Sequence, residues 1–525
     1  MNESPKLCVR NFDTAVTLVF GILSVAGLIH FQTEVWAFED TAHYTSMARQ
    51  LLQGKWLLTD LVYYSEQAQF GTIPAPQTVF PPGYSMVIAA AAWVFGTTAD
   101  QAALGICYLS YAALPTLLFV VGRGVGLCRD AAFAIVVVWL MMATGWVYVW
   151  SYSSDIPFVA LILLCLHCCR LGESRYSMLV AAGVTVALAF SFRYVTVFLV
   201  ATLGAAALLR FRLRIKDHLK FAVPVFVPVS ILMALIFTRN HQLVGTWRGG
   251  NNYDTAQAFS EVAKVFYYCV CRITGFSKSQ LYDSDPAAIG QLVAALLLLT
   301  ALLKTASWGR IVHWLEEADI QKLAVILFAP VYLSFLFYLD MTKNAGMSTR
   351  LLLPLVPFVG MTVALLVQNA AVAFVGYRRM LLLASVTLVA SLAAGQRLTF
   401  AEFHAEAAAG RQIAEVLEQP VGDQSLLELL QERVTDGAPV LSAQPQLASL
   451  FLQRPLLGLP TDYFNTEHTP WSNLRTLKYA DRFNIGFVLL LTGSRMNQDA
   501  EFFMELENAA VPILFGTASA CGLKS

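Results

Sequence analysis

The residues best placed to do chemistry in this chain are acids and arginines standing at the ends of long apolar segments. The first group reads Phe38-Glu39-Asp40-Thr41-Ala42-His43-Tyr44, followed by Ala48, Leu51, Leu52 and Gly54. Asp40, Tyr44, Ala48, Leu51 and Leu52 recur at helical spacing on about one face, which predicts a surface-lying helix that begins near Asp40 and rests its apolar stripe on a membrane. A carboxylate there can take a proton from a hydroxyl as a general base. It can equally cap the helix, satisfying free backbone N–H groups and complementing the dipole. Asp155, in Ser153-Ser154-Asp155-Ile156-Pro157-Phe158, offers the same two readings, with Pro157 just inside the helix it would start. The cations are Arg193 in Ser191-Phe192-Arg193-Tyr194, Arg239 beside Asn240, and Arg350 in Thr349-Arg350-Leu351-Leu352-Leu353-Pro354. Arginines at such places either hold an anion at the membrane rim or anchor a span end by snorkelling.

Other chemistries are poorly supplied. Cys165, His167, Cys168 and Cys169 have ligating side chains, but they sit in an apolar helix where cysteine behaves as a small hydrophobe, so no metal site is assigned. The nine cysteines form no disulfide framework. No nucleophile elbow, phosphate loop or dinucleotide fingerprint is present. The polar run from Trp247 to Asp254 reads equally as a cleft lining or a surface loop.

These residues need a frame that holds them at one boundary between water and lipid, and the composition supplies one. Hydrophobic residues make up 57% of the 525 and charged residues 13%, far from soluble usage. The net charge of zero gives no bulk attraction for nucleic acid. Apolar blocks recur near 15–31, 103–121, 131–150, 156–170, 178–191, 195–210, 220–237, 287–304, 322–339, 351–371 and 380–395, predicting about eleven transmembrane helices. The segment from Gly83 to Gly96, about fourteen residues, is too short to cross a hydrocarbon core of about 30 Å and is expected as an interfacial or re-entrant helix. Lys6 and Arg10 before the first block imitate a signal peptide, but no small-residue cleavage site follows Phe31, so a retained span is expected.

With the N-terminus cytoplasmic, the inner loops collect roughly sixteen Lys and Arg in about sixty residues, against roughly ten in about 140 for the outer ones. Arg123, Arg170 and Arg212 then lie inside. Glu39, Asp40, Asp155, Arg193, Arg239 and Arg350 all lie outside, on one face. After Gln396 the composition turns charged and patterned. Residues 398–434 read as amphipathic helices, and apolar runs at 439–442, 455–459, 486–491 and 512–515 read as strands with helices between them. The expected fold is an all-α polytopic membrane domain, 1–395, with an outer loop at 32–102 carrying juxtamembrane helices, and a small extracytoplasmic α/β domain at 396–525. The expected location is the cell membrane.

A second stretch of the outer loop, Val79-Phe80-Pro81-Pro82-Gly83-Tyr84-Ser85, halts the chain and starts the short helix. An aspartate with tyrosine four and alanine eight residues on, then a Pro-Pro-Gly-Tyr helix start, resembles the first outer loop of the polyprenyl-phosphate-dependent glycosyltransferases of the GT-C fold. These include the protein O-mannosyltransferases and the aminoarabinose transferases. The Ser-Ser-Asp turn at Asp155 and the arginine landmarks are similar to that family in order and placement, over roughly residues 10–395. The resemblance implies transfer of a sugar from a polyprenyl phosphate to an acceptor hydroxyl of a glycan, lipid or protein on the outer face, with inversion. It implies Asp40 as the base, Asp155 as a second acid, Tyr44 and Tyr84 in substrate binding, and Arg193, Arg239 and Arg350 as candidates for the phosphate. It requires no cofactor and leaves a divalent cation between the two aspartates open. The chain departs from the family at Thr41, where many members have a second acid, so that Glu39 is the neighbouring acid here. It departs again at Phe80, where several have a lysine held to bind the lipid phosphate. The rival readings are a transporter or lipid flippase, against which the scarcity of acids within the spans argues, and a non-catalytic scaffold.

Overall fold

The computed structural model describes residues 5–31, 39–212, 214–247, 249, 258–274, 318–343 and 348–373, together with strand segments at 420–421, 424–425, 440–442, 456–458, 487–491 and 513–516. The helices in chain order are α1 Pro5–Phe31, α2 Glu39–Leu52, α3 Ser65–Ala68, α4 Gly83–Phe95, α5 Ala99–Gly124, α6 Arg129–Leu140, α7 Ala143–Trp150 and α8 Asp155–Gly172. They continue as α9 Tyr176–Phe192, α10 Thr196–Phe211, α11 Ile215–Val244, α12 Phe259–Thr274, α13 Ile320–Lys343, α14 Thr349–Leu352 and α15 Leu355–Ala373. Among the described residues five helices are long and apolar enough to cross a membrane: α1, α5, α8, α11 and α13. The chain is a multi-pass membrane protein.

The expected span at 131–150 is divided: α6 and α7 meet at a bend of 56° near Met141-Met142. The blocks expected at 178–191, 195–210 and 351–371 are helical, as α9, α10 and α15, but are among the shorter apolar helices. Those expected at 287–304 and 380–395 lie outside the described residues. The short segment after Pro82 is the 13-residue α4, roughly 20 Å long and well short of a span. Its far end exposes Trp93 and Phe95, the large apolar surface that an interfacial helix offers to lipid. The amphipathic α12 lies between the apolar blocks expected at 220–237 and 287–304 and packs Phe266 on Phe337 of α13 at 5.2 Å.

α8 is the axis of the membrane region, with Ile156, Phe158, Val159, Ile162, Leu163 and Leu166 wholly buried. Its neighbours come close because small residues face them. At Gly183 of α9 a Cβ would stand 1.9 Å from the Pro224 carbonyl oxygen of α11, so only glycine admits that crossing. At Gly83 a Cβ would meet Ser191 Oγ at 2.0 Å, which seats the start of α4 on the end of α9.

Short strands lie outside the helices. β1 Leu58–Thr59 pairs antiparallel with β3 Ala75–Pro76, with β2 Leu61–Val62 between them in sequence. β4 Pro420–Val421 and β5 Gln424–Ser425 form a tiny antiparallel pair inside the stretch expected to be helical. The four expected C-terminal strands are β6 Val440–Ser442, β7 Leu456–Gly458, β8 Phe487–Leu491 and β9 Ile513–Gly516; the helices expected between them lie outside the described residues. All pairs in this sheet are parallel, and its order is β2-β7-β6-β8-β9. The edge strand β2 comes from the loop region between α1 and α5. Residues 61–62 and 456–457 therefore lie on the same side of the membrane.

Candidate functional site

Four elements meet where the acids and arginines were expected. α2 brings Asp40, the start of α8 brings Asp155, the turn between α9 and α10 brings Arg193, and α14 brings Arg350. Arg350 joins the two acids: its Nη2 donates to Asp40 Oδ2 at 2.8 Å and its Nε to Asp155 Oδ2 at 3.0 Å. Arg193 pairs with the other oxygen of Asp155, and the Ser153 hydroxyl also donates to that carboxylate. Two positive and two negative groups thus cancel within a site mostly shielded from water. Burial works against the charge of the Arg350 guanidinium, but Asp40 and Asp155 beside it outweigh burial and raise its pKa well above the ordinary arginine value.

The two acids differ in access. The Asp155 side chain is fully buried, whereas that of Asp40 is 22% exposed, more than Arg193 at 11% or Arg350 at 16%. Asp40 is the acid a ligand can reach. The capping alternative fits neither carboxylate well. Ser154 stands at the N-cap of α8 without a side-chain cap bond, while Asp155 turns its oxygens to the arginines. Asp40 accepts from Arg350 across 310 residues of sequence.

Local contacts fix each element. The Thr41 hydroxyl donates to the Ser151 carbonyl at 2.9 Å, tying α2 to the turn before α8. Tyr44 and Tyr84 meet edge-to-face at 5.2 Å. Tyr44 donates its hydroxyl to the Phe192 carbonyl at 3.0 Å, and Tyr84 to the Tyr152 carbonyl at 2.8 Å. Both tyrosines are buried. The resemblance implied that they bind substrate; here they hold the turns that carry Arg193 and Asp155. On α14, Thr349 and Tyr148 share a hydroxyl hydrogen bond of 2.8 Å.

Arg239 is not brought into this network. Its guanidinium donates to the Gln77 carbonyl at 2.8 Å and reaches the Leu57 carbonyl at 3.4 Å, so it grips the backbone of the segment between α2 and α4. Asn240 beside it donates to the Thr78 carbonyl at 3.2 Å. Glu39 opens α2, and its side chain lies outside the described residues. Cys165, Cys168 and Cys169 are buried in α8, and among the described residues no three His, Cys, Asp or Glu side chains gather as metal ligands.

Sequence reasoning missed His43, one helical turn beyond Asp40. Its ring is completely buried, stacks on Phe80 at 5.0 Å and packs near Tyr64 at 5.3 Å, and neither ring nitrogen has a partner among the described residues. Phe80 is thus part of an aromatic wall behind Asp40. Burial lowers the His43 pKa to about 4, with Asp40 pulling weakly the other way. Unfolded, this histidine takes a proton near pH 6.5; folded, only near 4, so its contribution to stability is full above 6.5 and is lost as the pH falls toward 4. The loss is on the order of 3 kcal/mol. The melting temperature of the detergent-solubilised protein is expected to drop over that window. His43→Phe should flatten the drop, and an unaltered acid profile in that variant would contradict the burial of a neutral ring.

No family model and no curated protein matches this sequence. Its fold does match solved structures. One is ArnT from Cupriavidus metallidurans bound to undecaprenyl phosphate, with TM-score 0.52, 14% identity, and 87% of this chain and 86% of that chain covered. A second is the Archaeoglobus fulgidus oligosaccharyltransferase in complex with zinc and sulfate, with TM-score 0.52, 12% identity, and 90% of this chain and 67% of that chain covered. The third is the oligosaccharyltransferase AglB of that archaeon with an inhibitory peptide and a dolichol-phosphate, with TM-score 0.51, 12% identity, and coverage of 91% and 69%. ArnT and AglB are glycosyltransferases of the GT-C fold, and this chain has that fold.

Proposed function

We propose that this chain is a membrane glycosyltransferase that moves a sugar from a polyprenyl phosphate to an acceptor hydroxyl on the extracytoplasmic face. The fold shared with lipid-phosphate-dependent enzymes supports the reaction class. The observation that carries the reading is the network in which Arg350 links the accessible Asp40 to the buried Asp155 and Arg193. Asp40 takes the proton of the acceptor hydroxyl, the oxygen attacks the anomeric carbon, and the bond from that carbon to the phosphate oxygen breaks. The lipid phosphate leaves with the electron pair, and Arg350 and Arg193 face the charge it gains. The attack comes from the side opposite the leaving phosphate, so the anomeric configuration inverts. Asp155, with its oxygens held by Ser153 and the two arginines, orients the cations rather than touching sugar.

Asp40 and Asp155 are the residues that would hold a divalent cation, and here both bond to the Arg350 guanidinium between them. In a strain lacking the protein, the polyprenyl-linked sugar is expected to accumulate while one surface glycoconjugate loses that sugar. Unchanged pools of both would overturn the proposal.

The same reading places Trp247 outside and Cys128 inside. Both are exposed. In intact cells a membrane-impermeant thiol reagent is expected to label Trp247→Cys but leave the native Cys128 untouched until the membrane is permeabilised. Labelling of Cys128 in intact cells would invert the orientation and move the site to the cytoplasm.

A further inference from the structure

Asp60 belongs to two structures at once. Its carbonyl oxygen accepts from the Leu456 backbone N–H at 2.9 Å, the contact that begins the parallel pairing of β2 with β7. Its carboxylate turns the other way. Ser46 Oγ donates to Oδ1, and Gln50 Nε2 reaches Oδ2 at 3.4 Å, while the Asp60 backbone N–H donates back to Ser46 Oγ at 3.0 Å. Ser46 and Gln50 lie on α2, about two and three turns after the Asp40 carboxylate that faces Arg350. Asp60, Ser46, Thr59, Leu61, Val62 and Leu456 are all buried, so water does not compete for these bonds, and each side loses heavily if a partner is removed. A two-residue strand has no stability of its own. β2 exists because the C-terminal sheet accepts it.

We propose that Asp60 is a positioning residue through which the C-terminal sheet sets the placement of α2, and with it Asp40. This rests on the reading of Asp40 as the base. The C-terminal segment is then part of the catalytic apparatus, since displacement of β2 from β7 releases the strut that holds the helix. Rate is sensitive to such placement: an error of about 1 Å can cost about 10²-fold.

The docking itself is tested without any assay of transfer. Val62 and Leu457 are registered partners, and neighbouring strands hold Cα atoms within disulfide reach. Val62→Cys with Leu457→Cys in the full chain is expected to cross-link on mild oxidation, identified by mass spectrometry against the native cysteines. Failure of the pair to cross-link in folded protein would overturn the proposal.

The strut is tested by Asp60→Ala, with Ser46→Ala and Gln50→Ala each removing one arm in case the first does not fold. The turnover number per donor-binding-competent molecule is expected to fall by about 10- to 100-fold, with the KM for the lipid-linked donor unchanged and the cross-link still forming. Asp60→Asn, which keeps an acceptor for Ser46, is expected to recover part of the loss. A purely structural role changes the competent fraction and leaves turnover per competent molecule alone. Wild-type turnover in all three alanine variants overturns the strut. If Asp40→Asn is active while Asp60→Ala is impaired, the base assignment fails and the strut to α2 stands.

Discussion

Asp40→Asn should abolish transfer, by about 10² to 10⁴-fold, while folding and donor binding stay near those of the wild type. The amide keeps the shape of the carboxylate and still accepts from Arg350 through its oxygen, so the bridge to Asp155 and the seat of α2 persist. What it loses is the ability to take the acceptor's proton. A helix-capping role predicts little change, because asparagine caps about as well as aspartate. Glu39→Gln is the control, offset by about 100° around the helix, and should remain active. Loss in Glu39→Gln with activity in Asp40→Asn would move the base by one residue. Activity in both would remove this loop from the chemistry.

Arg350→Ala carries the second large effect. Removing the guanidinium takes a cation from the leaving phosphate and leaves Asp40 and Asp155 facing each other without the charge between them. The expected loss is about 2 to 4 kcal/mol of transition-state stabilisation, or roughly 30- to 900-fold in kcat/KM for the donor. Arg350→Lys should recover only part, since one ammonium cannot make the two separate bonds that Nε and Nη2 make now. Unchanged donor kinetics in the alanine variant would send the phosphate to Arg193 alone or to another face of the protein.

The membrane class and the C-terminal strands were legible in the sequence because each leaves a local trace: apolar block length and short apolar runs. Asp40, Asp155, Arg193 and Arg350 were legible as candidates through their order along the chain. Their pairing was not, because a bond between residues 40 and 350 leaves no periodic signal. Arg239 looked equivalent to the other two arginines, yet its partners are loop carbonyls that only the folded chain brings near. The resemblance implied that Tyr44 and Tyr84 bind substrate, and their hydroxyls, buried in the fold, bond to the turns that carry Arg193 and Asp155. Neither β2 nor the break between α6 and α7 was visible. Two residues are too few for an alternation to register, and Met141-Met142 carries neither proline nor the glycine signal that marks a turn. His43 was passed over because a lone histidine beside an acid says nothing of burial until Phe80 is found stacked on it.

The central claim is that the Asp40–Arg350 site breaks the bond between a sugar and a lipid phosphate. The direct measurement is the release of free polyprenyl phosphate by the purified full-length protein from a panel of polyprenyl-phosphate sugars, with and without hydroxyl acceptors. Wild-type protein is expected to release the lipid phosphate only when acceptor is present, with an equal amount of newly glycosylated product of inverted configuration, and Asp40→Asn is expected to release none. Intact donor moved across reconstituted vesicles, without release of lipid phosphate by the wild type, would contradict the account and identify a flippase.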